Sequence, residues 1–137
     1  MKKKVTDAGL SDLFYIESAA TSREEIWNGI GNPVYPPAKA KLAENGISCE
    51  GKAARQTVKS DYSRFDYILA MDNNNLRNMN RIYGADPEKK ISLLMDFTSR
   101  RGEAADPWYT GNFDATWRDV NEGCDGFLSW LSTQGKI

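Results

Sequence analysis

The sequence contains no histidine. That removes the commonest general base at neutral pH and the commonest protein ligand for a transition metal. Cysteine is scarce too. Cys49 and Cys124 are the whole complement, too few for a disulfide framework or a four-thiolate zinc site. No carboxylate-rich substitute shows in the spacing, so neither a metal nor a cofactor is expected. So little cysteine fits a reducing, cytoplasmic setting. No apolar run is long enough to cross a bilayer, and the first residues, Met-Lys-Lys-Lys, lack the apolar core of a signal sequence. No membrane partner is expected. An excess of one charge is also missing: 18 basic against 19 acidic residues leave a formal net charge of −1. That offers no electrostatic footprint for nucleic acid, and Lys2, Lys3 and Lys4 read as a solvated helix face. Chemistry on this chain must rest on carboxylates, a thiol, arginines or backbone amides.

What is present is 137 residues of ordinary globular composition, read as a single domain over 1–137 with one core. Residues 2–8 read as the end of a helix, with Gly9 as its left-handed cap and Leu10 as the apolar contact after it. Residues 13–16 (Leu-Phe-Tyr-Ile) read as a strand, followed by the small residues Ser18, Ala19 and Ala20. Residues 21–37 read as a long loop marked by Gly29, Gly31, Asn32-Pro33 and Pro36-Pro37. That loop carries Trp27 and Tyr35, and loops of such length are often functional. Pro37 opens a helix through Asn45, stopped by Gly46.

Residues 61–65 form a helical turn, and 67–71 (Tyr-Ile-Leu-Ala-Met) are a near-continuous apolar run, as a strand buried on both faces requires. Asp72 is placed to cap a helix over 73–83 that ends at Gly84. Residues 91–95 read as another buried strand. Residues 114–131 have helical spacing, with Trp117, Val120, Cys124, Phe127, Leu128 and Leu131 on one face. Alternating strands and helices predict an α/β fold with a parallel sheet. Ligands of such sheets sit beyond the carboxyl ends of the strands. Asp72, the loop with Asp106 and the loop with Trp27 all fall there.

The stretch around Asp106 is the richest in chemistry. Pro107 fixes the backbone just after the carboxylate, so Asp106 is held in a defined direction. Trp108 and Tyr109 are followed by the turn-formers Thr110, Gly111 and Asn112. Large aromatics in that setting suit the wall of a shallow pocket better than a core.

Several motifs fall in one order along the chain: ESAATS (17–22), GNPVYPPA (31–38), ARQ (54–56), FDYILAMD (65–72), NNLRNM (74–79) and ADPWYTG (105–111). Together, over nearly the whole chain, they resemble the low-molecular-weight protein tyrosine phosphatases. The resemblance implies a Rossmann-like three-layer fold, a parallel sheet flanked by helices. It implies hydrolysis of a phosphotyrosine protein or a small aryl phosphate through a phosphocysteine intermediate. Asp106 matches the general acid and base of that family. Trp108 and Tyr109 match the aromatics that line the mouth of the site, and Trp27 resembles the aromatic on the opposite wall. Ser18 falls where the family has a serine that hydrogen-bonds the phosphate loop, and Asp72 matches a structural aspartate beneath the site.

One departure bears on activity. The family's nucleophile lies in a C-x5-R loop between a first strand and a first helix, whose backbone amides and arginine cradle the phosphate. These residues open at the position of that helix, so the first strand, the cysteine and the arginine have no counterpart among them. Cys49 and Arg55 also satisfy C-x5-R, but no buried strand precedes them and no capped amphipathic helix follows, so the match is a decoy. Cys124, on the apolar face of the last helix, is expected to be a core thiol. The chain as given is therefore expected to be inactive and poorly stable, a marginal, aggregating or strand-exchanged species. Two other readings stand beside the phosphatase: a non-catalytic protein that binds phosphotyrosine or a partner, and an arsenate reductase relative. The second needs cysteines paired for a disulfide relay, which Cys49 and Cys124 do not supply.

Overall fold

The computed structural model describes every residue except Glu25 and Asn28, and describes Trp27, Trp108 and Tyr109 by their backbone alone. Helix α1 (Lys2–Asp7) ends as its sequence predicts. Gly9 reverses the chain at φ +72°, the N–H of Leu10 donates to the carbonyl of Val5 at 2.9 Å, and that of Gly9 to Thr6 at 3.0 Å. The last carbonyls of the helix are thereby satisfied. A 3-10 turn, Ser11–Leu13, follows. Within 21–37 a small antiparallel hairpin forms from β1 (Ile26–Trp27) and β2 (Ile30–Gly31), so that stretch is not wholly irregular. Helix α2 (Pro36–Glu44) starts on two prolines, which need no amide donor in a first turn. It ends at Gly46, with Ile47 N–H on the Leu42 carbonyl at 2.9 Å. Next come the turn α3 (Asp61–Arg64), the strand β3 (Ile68–Ala70) and α4 (Asn73–Tyr83). The chain then runs through β4 (Ile91–Leu93), a 3-10 turn (Leu94–Phe97), α5 (Pro107–Thr110) and α6 (Phe113–Thr133). None of the described helices is long and apolar enough to cross a membrane.

Strands β3 and β4 pair in parallel, Ile68 with Ile91, Leu69 with Ser92 and Ala70 with Leu93. Side chains alternate across a strand, and β3 uses both faces. Ala70 and Ile68 join a cluster with Met79, Tyr83 and Leu93 on the α4 side. Leu69 joins a second cluster with Leu94, Cys124, Phe127 and Leu131 on the α6 side. The expected strand over 91–95 is cut short. Its last residues turn into the 3-10 segment so that Leu94 and Met95, 2% and 1% exposed, are buried.

The expected strand over 13–16 is not found. Phe14 has an extended backbone, but residues 14–19 pair with no strand among the described residues. Pairing begins only at Ala20, in a parallel bridge to Gln56. A strand exists through its neighbour, and without one Leu13 and Tyr15 stay 63% and 67% exposed. Strand β3 likewise has β4 as its one partner among the described residues. Between residues 13–22 and β3 lies a cavity of ≈ 2780 Å³ that reaches both core clusters, touching Met79 and Tyr83 of one and Cys124 and Phe127 of the other. Ile68 and Leu69 border it and are only half-buried. Both faces of β3 are packed, as expected, and among the described residues β4 pairs with one of its edges.

Candidate active site

The carboxyl end of β3 delivers Asp72. Its backbone is extended and its Oδ1 accepts the N–H of Asn75 at 2.7 Å, capping α4. A side-chain acceptor at a helix N-cap satisfies one of the amides that the first turn leaves unpaired. Asn75 works in both directions: its Oδ1 accepts the Met71 N–H at 3.1 Å and its Nδ2 donates to Thr21 Oγ1 at 3.3 Å. Asn78 donates to the same hydroxyl at 3.1 Å. The segment after Ser18 is thus tied to α4 through one threonine.

A second segment arrives beside the first. The N–H of Ala104 donates to the Met71 carbonyl at 2.8 Å, and Glu103 accepts the N–H of Asn73 at 2.9 Å. Asp106 follows, half-buried, and Pro107 opens the single turn α5. That turn closes with the Thr110 N–H on the Asp106 carbonyl at 3.1 Å and the Gly111 N–H on Pro107 at 2.8 Å. Gly111, at φ +67°, leads to Asn112, whose Oδ1 accepts the Ala115 N–H at 3.1 Å and caps α6. Asp72, Asn75, Asp106 and Thr116 border one small cavity of ≈ 270 Å³. Ser18, Asp72 and Asp106 also border the large cavity. The side chains of Trp27, Trp108 and Tyr109, expected to wall the site, lie outside the described residues.

The arrangement depends on residues that the sequence reading passed over. Asp119 of α6 is 5% exposed. Its Oδ2 accepts the Ala105 N–H at 2.9 Å and its Oδ1 accepts Arg100 Nη2 at 2.7 Å. Burial works against ionisation of this carboxyl, but the Ala105 amide and the Arg100 guanidinium outweigh it and hold the group below the usual carboxylate range. Glu122 and Asp119 in turn push Arg100 up. Thr116 donates to the Ala105 carbonyl at 2.8 Å. A signal was present: Asp119 stands among Gly123 and Phe127 at four-residue spacing, and an acidic residue on a buried stripe needs partners.

The C-x5-R look-alike is a connection between other elements. Cys49 sits in a turn, and Arg55 leads into the bridge at Gln56 with no helix behind it. The Arg55 guanidinium is occupied by carboxylates, Asp61 at 3.0 Å and Glu17 at 3.3 Å. Cys124 is 5% exposed within the α6 cluster. Among the described residues, no three His, Cys, Asp or Glu side chains gather closely enough to hold a metal ion.

Comparison with known proteins places this arrangement among relatives. The family model for low molecular weight phosphotyrosine protein phosphatase matches residues 1–136. A low molecular weight phosphotyrosine protein phosphatase from Sus scrofa is 36% identical over 132 residues, 93% of this chain and 80% of that protein. The low molecular weight protein-tyrosine-phosphatase YfkJ of Bacillus subtilis is 33% identical over 110 residues, 79% of this chain and 70% of that one. The crystal structure of YfkJ superposes with a TM-score of 0.88 at 29% identity, over 97% of this chain and 82% of the other.

Proposed function

The chain belongs to the low molecular weight phosphotyrosine protein phosphatase family, and from that premise we propose that it carries the acid–base half of a phosphotyrosine phosphatase site, centred on Asp106. In the reaction that this membership implies, a cysteine thiolate attacks phosphorus and the P–O bond to the phenol breaks. The electron pair goes to the phenol oxygen, and the Asp106 carboxyl delivers a proton there. Asp106, now a carboxylate, then takes a proton from water. The water oxygen attacks phosphorus and the S–P bond breaks, releasing inorganic phosphate and the thiolate.

The observation that carries the reading is the joint position of Asp106 and Asp72 on one cavity at the carboxyl end of β3, where parallel α/β sheets bind ligands. Asp72 caps α4, and the proton transfer is assigned to Asp106. Ser18, on the large cavity, is assigned to hydrogen-bonding a phosphate-holding loop. Trp27, Trp108 and Tyr109 are assigned to gripping the aromatic ring of the substrate. Neither Cys49 nor Cys124 is assigned the nucleophile. The first lacks a helix N-terminus to stabilise a thiolate, and the second is buried in the core.

The test has two stages. The 137-residue chain is assayed with p-nitrophenyl phosphate, and no turnover is expected. If it turns over and Cys49→Ser abolishes that, the look-alike loop is the real one. Next, an apolar strand with a C-x5-R loop, taken from a family member, is fused before Met1. Hydrolysis of aryl phosphates without added metal is expected. Asp106→Ala should then lower kcat by roughly 10²–10⁴, the usual worth of a positioned general acid, with KM changing much less. The loss should shrink for phenols acidic enough to leave unprotonated. Equal losses for phenyl phosphate and a far more acidic ester would remove Asp106 from the role. A second reading is phosphotyrosine binding without turnover, on the rim that Asp72 and Asp106 border. Calorimetric titration of the unfused chain with a phosphotyrosine peptide decides that reading.

A further inference from the structure

We propose that Asp119 is the positioning residue for Asp106: a buried carboxylate on α6 that fixes the backbone from which the acid projects, with Arg100 holding its charge and Thr116 completing the grip. The proposal rests on the reading of Asp106 as the acid and adds the device that aims it.

The grip of α6 falls on the backbone. Both polar groups of Ala105, the residue before the acid, go to α6. Its N–H donates to Asp119 Oδ2 at 2.9 Å and its carbonyl accepts from Thr116 Oγ1 at 2.8 Å. That carbonyl belongs to the peptide plane joining Ala105 to Asp106, so the plane is fixed at the point where the Asp106 Cα leaves it. On the other side Pro107 confines its own φ and holds the preceding residue out of the helical region, and the Asp106 carbonyl closes α5 through the Thr110 N–H. The backbone is thus held on both sides of the acid. Thr116 and Asp119 stand three residues apart on α6, hence on one face of the helix.

The partners at this position call for a charge. A buried carboxylate needs its lone pairs occupied. Here one oxygen takes Arg100 Nη2 at 2.7 Å while the other takes the Ala105 amide. Arg100 is steadied by a second carboxylate, with its Nε 3.1 Å from Glu122. An asparagine keeps the shape but turns its NH₂ toward either Arg100 or the Ala105 N–H, donor against donor. A pair that merely stapled α6 to the 98–104 segment would need Arg100 and Asp119 alone. The hydrogen bond to Ala105 is what couples the pair to the acid.

Two variants test this. In the full chain, amide exchange is followed residue by residue for Asp119→Asn and for Thr116→Val, the milder change. Exchange at Ala105 should accelerate at least tenfold in Asp119→Asn, while the amides of α4 keep their rates. Thr116→Val should accelerate exchange at Thr110, whose acceptor is the Asp106 carbonyl. Unchanged exchange at Ala105, or a uniform rise throughout the chain, overturns the proposal and reduces Asp119 to a fold contact. In the fused, active form, Asp119→Asn should lower kcat by 10- to 100-fold with KM within twofold. The doubly substituted Asp106→Ala, Asp119→Asn protein should be no slower than Asp106→Ala alone, since a residue that acts through the acid has nothing to act through once it is gone. Losses that multiply overturn the proposal. If Asp106→Ala itself leaves kcat unchanged, the reading of Asp106 fails, and the exchange at Ala105 reports separately on the anchor.

Discussion

Asp61 shows how much one side chain organises away from the site. It is 2% exposed, and its Oδ2 accepts from the Val58 N–H at 2.9 Å, Thr57 Oγ1 at 2.8 Å and Arg55 Nη1 at 3.0 Å. Thr57 also meets the Tyr83 hydroxyl at 2.6 Å, so this carboxylate links the turn α3 to the end of α4. Burial alone would raise its pKa, but the amide, the hydroxyl and the arginine together lower it. Asp86, held by Tyr62 and by two backbone amides, is lowered in the same way. A carboxyl with a depressed folded-state pKa contributes stability that is fully present above the unfolded value, near about 3.9. That contribution is lost as pH falls through the folded value. Urea midpoints should therefore hold steady from neutral pH downward, then drop as pH passes below about 4. Asp61→Asn should cost about 2 kcal/mol at neutral pH, with the half-exposed Arg55 keeping it below the usual figure for a broken buried pair. It should also flatten the acid slope, and an unchanged slope in the variant would show that Asp61 titrates as in the unfolded chain.

Among the elements, α6 is placed by the absence of side chains. A Cβ at Gly126 would overlap the Phe97 carbonyl, and one at Gly123 would meet Leu94 Cγ at 2.5 Å. The helix thus lies directly on the 3-10 turn that ends the β4 segment. Glycine inside a helix costs about 1 kcal/mol relative to alanine, so Gly→Ala would stabilise an exposed helix. At Gly126 the overlap is with backbone that cannot rotate away, and overpacking of this kind costs about 1–3 kcal/mol. Gly126→Ala should therefore lower the thermal midpoint, whereas Gly123→Ala should cost less because the Leu94 side chain can shift. A midpoint raised by Gly126→Ala would mean that α6 stands off the turn. The helix ends were legible beforehand because capping is local. Gly9, Gly46, Asp72 and Gly84 act within a few residues of themselves. The strand over 13–16 was misread because its apolar run satisfies a pattern whose fulfilment depends on a neighbour elsewhere.

At the scale of the molecule the large cavity dominates. It lies between residues 13–22 and β3, leaves Ile68 and Leu69 half-covered, and is bordered by members of both core clusters. Unpaired strand edges bordered by apolar surface associate. The chain as given should show concentration-dependent association in light scattering, through exchange of segments between copies. Its thermal transition should be broad and lie below the roughly 45–65 °C usual for mesophilic domains. A monodisperse monomer with a cooperative transition inside that range would show that the cavity closes in solution.

The amino-acid sequence by itself determined the helices, their caps, the apolar faces of β3 and α6, and the family, because each depends on residues close together in the chain or on motifs in a set order. It also singled out Asp106, through the rigid Asp-Pro pair. Tertiary structure alone decided which apolar runs became strands, since pairing needs a partner far away in sequence. It also decided that Arg55 faces Asp61 and Glu17 and not a ligand, and that Ala105 is gripped by Asp119 and Thr116. The Ala105 contacts join residues 11 and 14 apart along the chain, Arg55 reaches Glu17 in a separate segment, and no local pattern encodes their distance.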